Sequence, residues 1–518
     1  KTWSATSIID GQAISEYTKE GATHQLESQN VLAPWNHNVK AGEVQYANAE
    51  IANQAIEAAV AGQAAWQAVP AARRAEILRK TADLYEENYA ELMALCQLEA
   101  GKTMQDSIDE IKEAVDFCRF YADEAERLAA EVHEITDLSG KSLRQVYKAR
   151  GTFFCISPWN FPLAIYTGQI VAALAAGNTV VAKPAEQTSL IAHFGAQLMY
   201  QAGVPFEALQ FVVGAGEVGG ALTASDQIAG VIFTGSTQTA QRINQSLNNH
   251  AQTSGELPIL IAETGGQNAM IVDSTALPEQ VVTDAVLSAF GSAGQRCSAC
   301  RILCVQEDVA DGIIELLQGH MAELVVGNPT YGSTDVGPVI DSDAKKGLEA
   351  HIERMQSEAT ATILGQTPMS ASSVVSEDEA TFVLPTAIEV NSIDVIGGEH
   401  FGPILHVLRY KARDLDKLID AINGTGFGLT LGIHSRIENI AEHIERRVVV
   451  GNTYVNRNQI GAVVNVQPFG GTGLSGTGPK AGGPHYVARL MKLSAEQGAA
   501  GNTTHSTNTQ STTQTQLA

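Results

Sequence analysis

Cationic residues are scarce in this chain: 33 Lys and Arg stand against 57 Asp and Glu, a formal charge of -24. Surfaces that bind nucleic-acid phosphates or acidic lipid headgroups need clustered Lys and Arg, so no nucleic-acid partner is expected. Cysteine is sparse as well, with six in 518 residues, three of them close together at Cys297, Cys300 and Cys304. That excludes a disulfide framework and fits a reducing compartment. Long apolar runs are missing. The longest, Ile165 to Ala176, is broken by Gly168 and Gln169, and no early segment joins a basic start to an apolar stretch and a small-residue cleavage site. We expect no membrane span and a cytoplasmic location. An initiator Met is absent too, and from the start at Lys1 we expect a processed product or a module excised from a longer protein.

What is present is an ordinary globular composition, 44% hydrophobic, at a length that predicts roughly two or three domains. From Ala49 to about Arg127, apolar residues recur at three- and four-residue steps, for example Ile77, Leu78, Leu84, Tyr85, Tyr89, Leu92 and Met93, which predicts an α-helical section. A strand-like piece at Ser142 to Tyr147 follows. The pattern then changes to short apolar runs at Thr152 to Ile156, Asn178 to Ala182, Leu209 to Val213, Val231 to Thr234 and Ile259 to Ala262, with helix-like segments between them. Strand and helix in alternation predict a parallel, doubly wound α/β sheet with its ligand outside the carboxyl ends of the strands. A second alternation begins near Asn268 and runs to about Leu431 or beyond. The stretch from Gly501 to Ala518 is almost entirely Thr, Ser, Asn and Gln and is expected to be disordered.

Several residues stand where chemistry is done. Cys297, in Gly294-Gln295-Arg296-Cys297-Ser298, follows a helix-like run from Val281 to Phe290. A thiol attacks as thiolate, so it needs a base, a cation or N–H donors that lower its pKa; taken alone, Cys297 also reads as an inert core residue. Cys297-x-x-Cys300 spells half of a metal or redox motif, but no second ligand pair at zinc-finger spacing exists, and no metal is expected. Glu263 ends an apolar run and precedes Thr264-Gly265-Gly266, where burial would raise its pKa into the range of a general base; its other reading is a solvated turn residue. Asn160, in Ser157-Pro158-Trp159-Asn160-Phe161-Pro162, offers an amide to an oxyanion or simply packs in a rigid turn.

Lys183 and Glu186 follow another strand, where a lysine can bond a ribose hydroxyl or a phosphate. Gly214-x-Gly216-x-x-Gly219 after a strand is a weak dinucleotide fingerprint in so Gly-rich a chain. Thr234-Gly235-Ser236, between strand and helix, points N–H groups at an anion.

In this order, Pro158-Trp159-Asn160-Phe161-Pro162, Lys183-Pro184-Ala185-Glu186, Phe233-Thr234-Gly235-Ser236, Glu263-Thr264-Gly265-Gly266, Gln295-Arg296-Cys297, Glu399-His400-Phe401-Gly402-Pro403 and Pro468-Phe469-Gly470-Gly471 resemble the aldehyde dehydrogenase superfamily, over roughly Val44 to Gln497. The resemblance implies two doubly wound α/β domains and a small β-arm. It divides the chain into an NAD-binding domain (1–134, with its helical section, and 151–263), a catalytic domain (264–485), an oligomerisation arm (135–150 and 486–497) and a disordered tail (498–518). It implies Cys297 as nucleophile, Glu263 as base for the hydrolytic water, and Asn160 with the Cys297 N–H as oxyanion donors. The cofactor places it implies are Ile156, Ser157, Pro158, Trp159, Lys183, Glu186, Gly216, Thr234, Gly235, Ser236, Glu263, Glu399 and Phe401. A carboxylate at Glu186 repels a 2′-phosphate, so NAD is expected over NADP.

Within the superfamily, Ala262-Glu263-Thr264-Gly265-Gly266-Gln267-Asn268-Ala269, Ser298 after the nucleophile and the glycine-rich segment Gly461 to Pro484 resemble the L-glutamate γ-semialdehyde (1-pyrroline-5-carboxylate) branch, which includes the dehydrogenase module of bifunctional proline utilization A proteins. That implies Ser298, Gly461 and Ala462 at the substrate carboxylate and Phe161 and Phe469 along its aliphatic chain. It also implies a homodimer, and a fused or associated proline dehydrogenase as partner. Cys300 departs from the branch, which places an apolar residue there, and a Cys297 to Cys300 disulfide under oxidation would silence the enzyme. Two alternatives stand beside this reading: another small acid semialdehyde such as succinic semialdehyde as substrate, and a binding or structural protein that kept the fold and lost the reaction.

Overall fold

The apolar runs assemble into two seven-stranded sheets, each covered by the helices that lie between its strands in sequence. The computed structural model describes residues 2–19, 22–136, 138, 142–254, 257–358, 361–368 and 379–497. In the first sheet, Ile259–Thr264, Ile228–Gly235, Thr152–Ile156, Val180–Lys183 and Leu209–Phe211 lie side by side in that order, all parallel. Their side chains are largely buried on both faces, which is why they read as continuous apolar runs rather than alternating ones. The chain leaves Thr152–Ile156 to build one side of the sheet and returns to build the other. The crevice at the carboxyl ends of Thr152–Ile156 and Ile228–Gly235 is therefore the topological switch point, the place such sheets hold ligands.

The second sheet runs Ala361–Gln366, Thr386–Val390, Ile404–Tyr410, Ile302–Gln306, Ala269–Val272, Thr430–His434 and Asn452–Val455, parallel except for the first strand. Helices Pro278–Phe290, Glu307–Glu323 and Ser342–Ser357 accompany it, and it closes a hydrophobic core of its own. The expected helical section is Ala49–Ala68, Ala71–Glu87, Tyr89–Ala100 and Met104–Ala130. Its boundaries have local causes. The Asn48 side chain accepts from the Ile51 N–H and that of Thr103 from the Asp106 N–H, while Gly101, with φ of 65°, ends the third helix in the left-handed conformation.

Two features depart from the reading of the sequence. The first 45 residues carry strands: Ser7–Ile9 and Gln12–Ile14 extend the first sheet antiparallel at its Leu209–Phe211 edge, and Trp3–Ala5, Asn36–Gln45 and Ser28–Ala33 form a separate sheet. Gln12–Ile14 and Ser28–Ala33 are rich in exposed residues and Trp3–Ala5 and Ser7–Ile9 are only three residues long, so they lack the apolar periodicity that marks an element. The segment expected to enter an arm at residue 486 first packs into the first core. Tyr486–Arg489 is a short helix whose Tyr486 and Val487, with Leu490 after it, are buried in the first core. Met491–Gln497 then pairs with Ser142–Ala149, which pairs with His133–Thr136. The tail 498–518 lies outside the described residues. No helix among the described residues is long and apolar enough to cross a membrane.

Candidate active site

Helix Pro278–Phe290 stops at Gly291, and the three residues after it, Ser292, Ala293 and Gly294, take φ of 58°, 54° and 66°. This left-handed turn reverses the chain and presents Cys297 to a cavity of about 350 Å³ between the two sheets. Gly294 is required there, since a Cβ would stand 2.2 Å from the Gly402 carbonyl oxygen on a backbone that disfavours side chains. Glu263, Ser298, Phe161, Phe469, Gly461 and Ala462 line the same cavity. Gly461 is also left-handed, with φ of 77° and open space where a side chain would be, so its amide is unobstructed.

Cys297 does not have the lowered pKa that its expected role suggested. Burial pushes its thiol up to about 12, and the carboxylates of Glu263, Glu399 and Glu113 add to the effect against a small opposing pull from the Ser298 N–H. In the free protein the sulfur is a protonated thiol that needs a base. Glu263 supplies a candidate. Its carboxyl is tucked against three glycines: Oε2 accepts from the Gly471 N–H at 3.0 Å, and a Cβ at Gly470 or Gly476 would stand 2.7 or 2.9 Å from its oxygens. Oε1 is buried without a hydrogen-bond partner. Burial pushes this carboxyl up to about 8, with the Gly471 N–H and Lys480 opposing. A group that titrates near working pH is suited to moving protons.

Asn160 abuts the segment that carries Cys297. Its Nδ2 donates to the Gln295 carbonyl at 2.9 Å, and it lines a small neighbouring void with Trp159, Lys102 and Gln295 rather than the large cavity. One N–H of the amide is engaged in that bond, and the second is free to donate. Cys300, which raised the prospect of a disulfide, points the other way. It is wholly buried in the second core, with its thiol against the Ile302 carbonyl, and both cysteines are free.

The remaining candidates lie at or just beyond the carboxyl ends of the first sheet's strands, or on the loop of Glu399 and Phe401. Lys183 is buried, donates to the Pro184 carbonyl at 3.0 Å and lies 3.9 Å from half-exposed Glu186; burial lowers its pKa, with Glu186 opposing. Gln169 donates to the Ile156 carbonyl and to Thr234, fixing the two strand ends to each other. Ser236 follows Gly235 and accepts from the Thr239 N–H, capping helix Thr237–Ser254 with its first N–H groups toward the crevice. Gly216 opens helix Gly216–Ala224 with nothing near its Cβ position, and a Cβ at Gly219 would stand 4.0 Å from the Lys183 stem. Glu399 packs so closely that a Cβ at Gly265 would fall 1.8 Å from its Oε2, and burial raises its pKa against the pull of Arg301. Phe401 meets Trp159, which follows Pro158, edge to face at 5.5 Å. The Ser157 hydroxyl is buried without a hydrogen-bond partner, and buried Oε1 of Glu399 faces Arg301 at 3.7 Å. A buried lysine, a capped helix start, the carboxyls of Glu186 and Glu399 and the orphaned Ser157 hydroxyl are the donor and acceptor types that a dinucleotide takes. Among the described residues no group of three or more His, Cys, Asp or Glu side chains is placed to hold a metal ion.

Sequence reasoning passed over three acids on the cavity wall, of which Glu113 is the least exposed. Glu113 is half-buried there beside the exposed Asp109 and Asp116, its carboxyl pushed up to about 8 by burial and by Glu110, against Arg296 and Lys102. The available signal was helical spacing. Asp106, Glu110, Glu113, Phe117 and Tyr121 share one face of Met104–Ala130, and acids in line with core aromatics are out of place on a solvated face.

A cysteine and a buried carboxyl on one cavity, lined from two α/β sheets of which the first has a topological switch point, are what an oxidoreductase of the two-domain α/β class needs. The sequence matches the aldehyde dehydrogenase family over residues 22–495, and the chain belongs to that family. It is 47% identical to the bifunctional protein PutA of Klebsiella aerogenes over 97% of the chain, although it spans only 36% of the length of that relative. It is 35% identical to 1-pyrroline-5-carboxylate dehydrogenase of a Geobacillus strain, covering 89% of the chain and 88% of that protein. A solved structure of the Thermus thermophilus 1-pyrroline-5-carboxylate dehydrogenase superposes with a TM-score of 0.87 at 32% identity, over 96% of this chain and 93% of that one.

Proposed function

We propose that the chain oxidises L-glutamate γ-semialdehyde, the open form of 1-pyrroline-5-carboxylate, to L-glutamate with NAD, the second step of proline catabolism. The observation that carries the reading is that one cavity joins Cys297 and Glu263 to groups suited to both ends of an amino acid. Ser298 and the open amides at Gly461 and Ala462 suit the α-carboxylate, Glu113 suits the ammonium, and Phe161 and Phe469 flank the methylene chain. An entering ammonium favours the charged form of Glu113 and so offsets the burial that keeps it protonated.

Attack forms the Sγ–C bond while the thiol proton passes to Oε1 of Glu263 and the carbonyl electron pair moves onto oxygen, where the Cys297 N–H and the second N–H of Asn160 receive it. Bound at the crevice, NAD supplies the acceptor for the hydride. Lys183 and Glu186 would hold its adenosine ribose, Ser236 with Thr234 and Gly235 its diphosphate, and Glu399 with Phe401 its second ribose and ring. The chain is left with a thioester on Cys297. Glu263 gives the thiol proton up to solvent and then takes a proton from water as the water oxygen bonds to the acyl carbon; the C–S bond breaks, the leaving sulfur is reprotonated from Glu263, and the acid leaves.

Glu186 disfavours a 2′-phosphate, which supports NAD over NADP. By the same reading the protein is a homodimer through its β-arm, works with a fused or associated proline dehydrogenase, and is cytoplasmic. The test is NADH formation from 1-pyrroline-5-carboxylate and from succinic semialdehyde, with Cys297→Ala as control. We expect higher kcat/KM on the amino acid substrate and no turnover in the variant; full turnover in Cys297→Ala, or a preference for succinic semialdehyde, overturns the reading.

A further inference from the structure

Arg301 lies just before strand Ile302–Gln306, and its side chain is 2% exposed. Its guanidinium donates from Nη1 to the Gly294 carbonyl at 2.7 Å and to the Gly402 carbonyl at 3.0 Å, and from Nη2 to the Arg296 carbonyl at 3.2 Å. Nη2 also lies 3.7 Å from Oε1 of Glu399, and the guanidinium carbon stands 5.2 Å from the centre of the Phe401 ring. Gly294 and Arg296 belong to the left-handed turn that presents Cys297. Glu399, Phe401 and Gly402 belong to the loop assigned above to the second ribose of the dinucleotide. These loops come from distant parts of the chain, and one planar cation bonds to both.

We infer that Arg301 is a positioning residue that couples occupancy of the ribose end of the dinucleotide site to the setting of Cys297. The inference rests on the proposed role of Glu399 and Phe401. A guanidinium holds its donors in a rigid plane, so a shift of the Glu399 loop that tilts it must also pull on the Gly294 and Arg296 carbonyls. Lysine carries its charge at one point on a flexible stem and cannot hold three carbonyls from two loops at once. Coupling of this kind is reciprocal: whatever the loop does to the thiol, the state of the thiol does to binding at the loop.

The experiment uses the whole chain and ADP-ribose, which carries both riboses and the diphosphate but not the nicotinamide ring. Calorimetry reads its binding, and alkylation of Cys297 by iodoacetamide, followed by mass spectrometry, reads the setting of the thiol without any turnover. We expect saturating ADP-ribose to change the alkylation rate of the wild type by about fivefold or more. Arg301→Lys should bind ADP-ribose yet alkylate at one rate with and without it. Binding with no change of rate in the wild type, or the same change in Arg301→Lys, overturns the inference alone; failure of ADP-ribose to bind overturns the dinucleotide reading and the inference with it. Should Arg301→Lys not fold, hydrogen–deuterium exchange on the wild type decides. Slowed exchange at residues 292–297 as well as 397–402 on adding ADP-ribose is the expected result, and slowing confined to 397–402 overturns it.

Discussion

Glu263 concentrates the energetics of the site in one carboxyl. Its ordinary pKa of 4.5 is pushed up to about 8 because the folded chain removes it from water and returns a single N–H, that of Gly471. The folded state therefore holds a proton that the unfolded chain releases near pH 4.5. The stability linked to this group is fully present below pH 4.5 and is lost as pH rises through about 8, a difference of roughly 2–5 kcal/mol. Glu263→Gln keeps the shape and removes the titration. Urea unfolding at pH 5 and pH 9 should show the wild type losing more stability than the variant between the two; equal losses would mean the carboxyl is not held out of water. Activity should move in the opposite sense. The base must be ionised, so kcat rises with pH through an apparent pKa near 8, and the variant loses about 10²–10⁴-fold in turnover. The sequence placed Cys297 and Glu263 among the candidates because each sits in a short local pattern at the end of a strand or helix. Glu113 and Arg301 were not legible in that way, since the cavity wall and the two loops that give them meaning meet only in the folded chain.

At the level of elements, helix Met104–Ala130 connects the helical section to the site. Lys102 and Glu110 form an ion pair at 2.9 Å with side chains 4% and 0% exposed, and the other Glu110 oxygen accepts from the Leu163 and Ala164 N–H groups at the start of helix Ala164–Ala175. Lys102 also stands 4.5 Å above the Phe161 ring on the substrate cavity. Removing one partner strands the other charge out of water, so Glu110→Ala should destabilise the protein by about 3–5 kcal/mol, read by urea denaturation. Lys102→Met should cost less when added to Glu110→Ala than alone, and strictly additive losses in that double-mutant cycle would count against the pair. Alternating strands and helices were readable from residue 152 onward because a parallel sheet writes itself as apolar runs between amphipathic ones. The strands before residue 46 were not, because Gln12–Ile14 and most of Ser28–Ala33 face solvent and take their order from pairing with strands elsewhere in the chain.

Across the whole molecule the three-stranded sheet of His133–Thr136, Ser142–Ala149 and Met491–Gln497 is the part least accounted for by this chain's own packing. His133–Thr136 is exposed along its full length, and Ile135 and Leu493 are 42% and 53% exposed. A sheet this small is marginal when one face lacks an apolar layer, and an open edge invites another strand. A second copy of the chain satisfies both needs at once, which is the physical ground for the proposed homodimer. Ending the chain after Met491 removes residues 492–497 but leaves Tyr486, Val487, Leu490 and Met491 in the first core, so the truncated protein should fold. Sedimentation should then find a dimer for the longer chain and a monomer for the truncated one, with a melting temperature that no longer depends on protein concentration. A truncated chain that sediments as the same dimer would place the interface elsewhere on the two α/β domains.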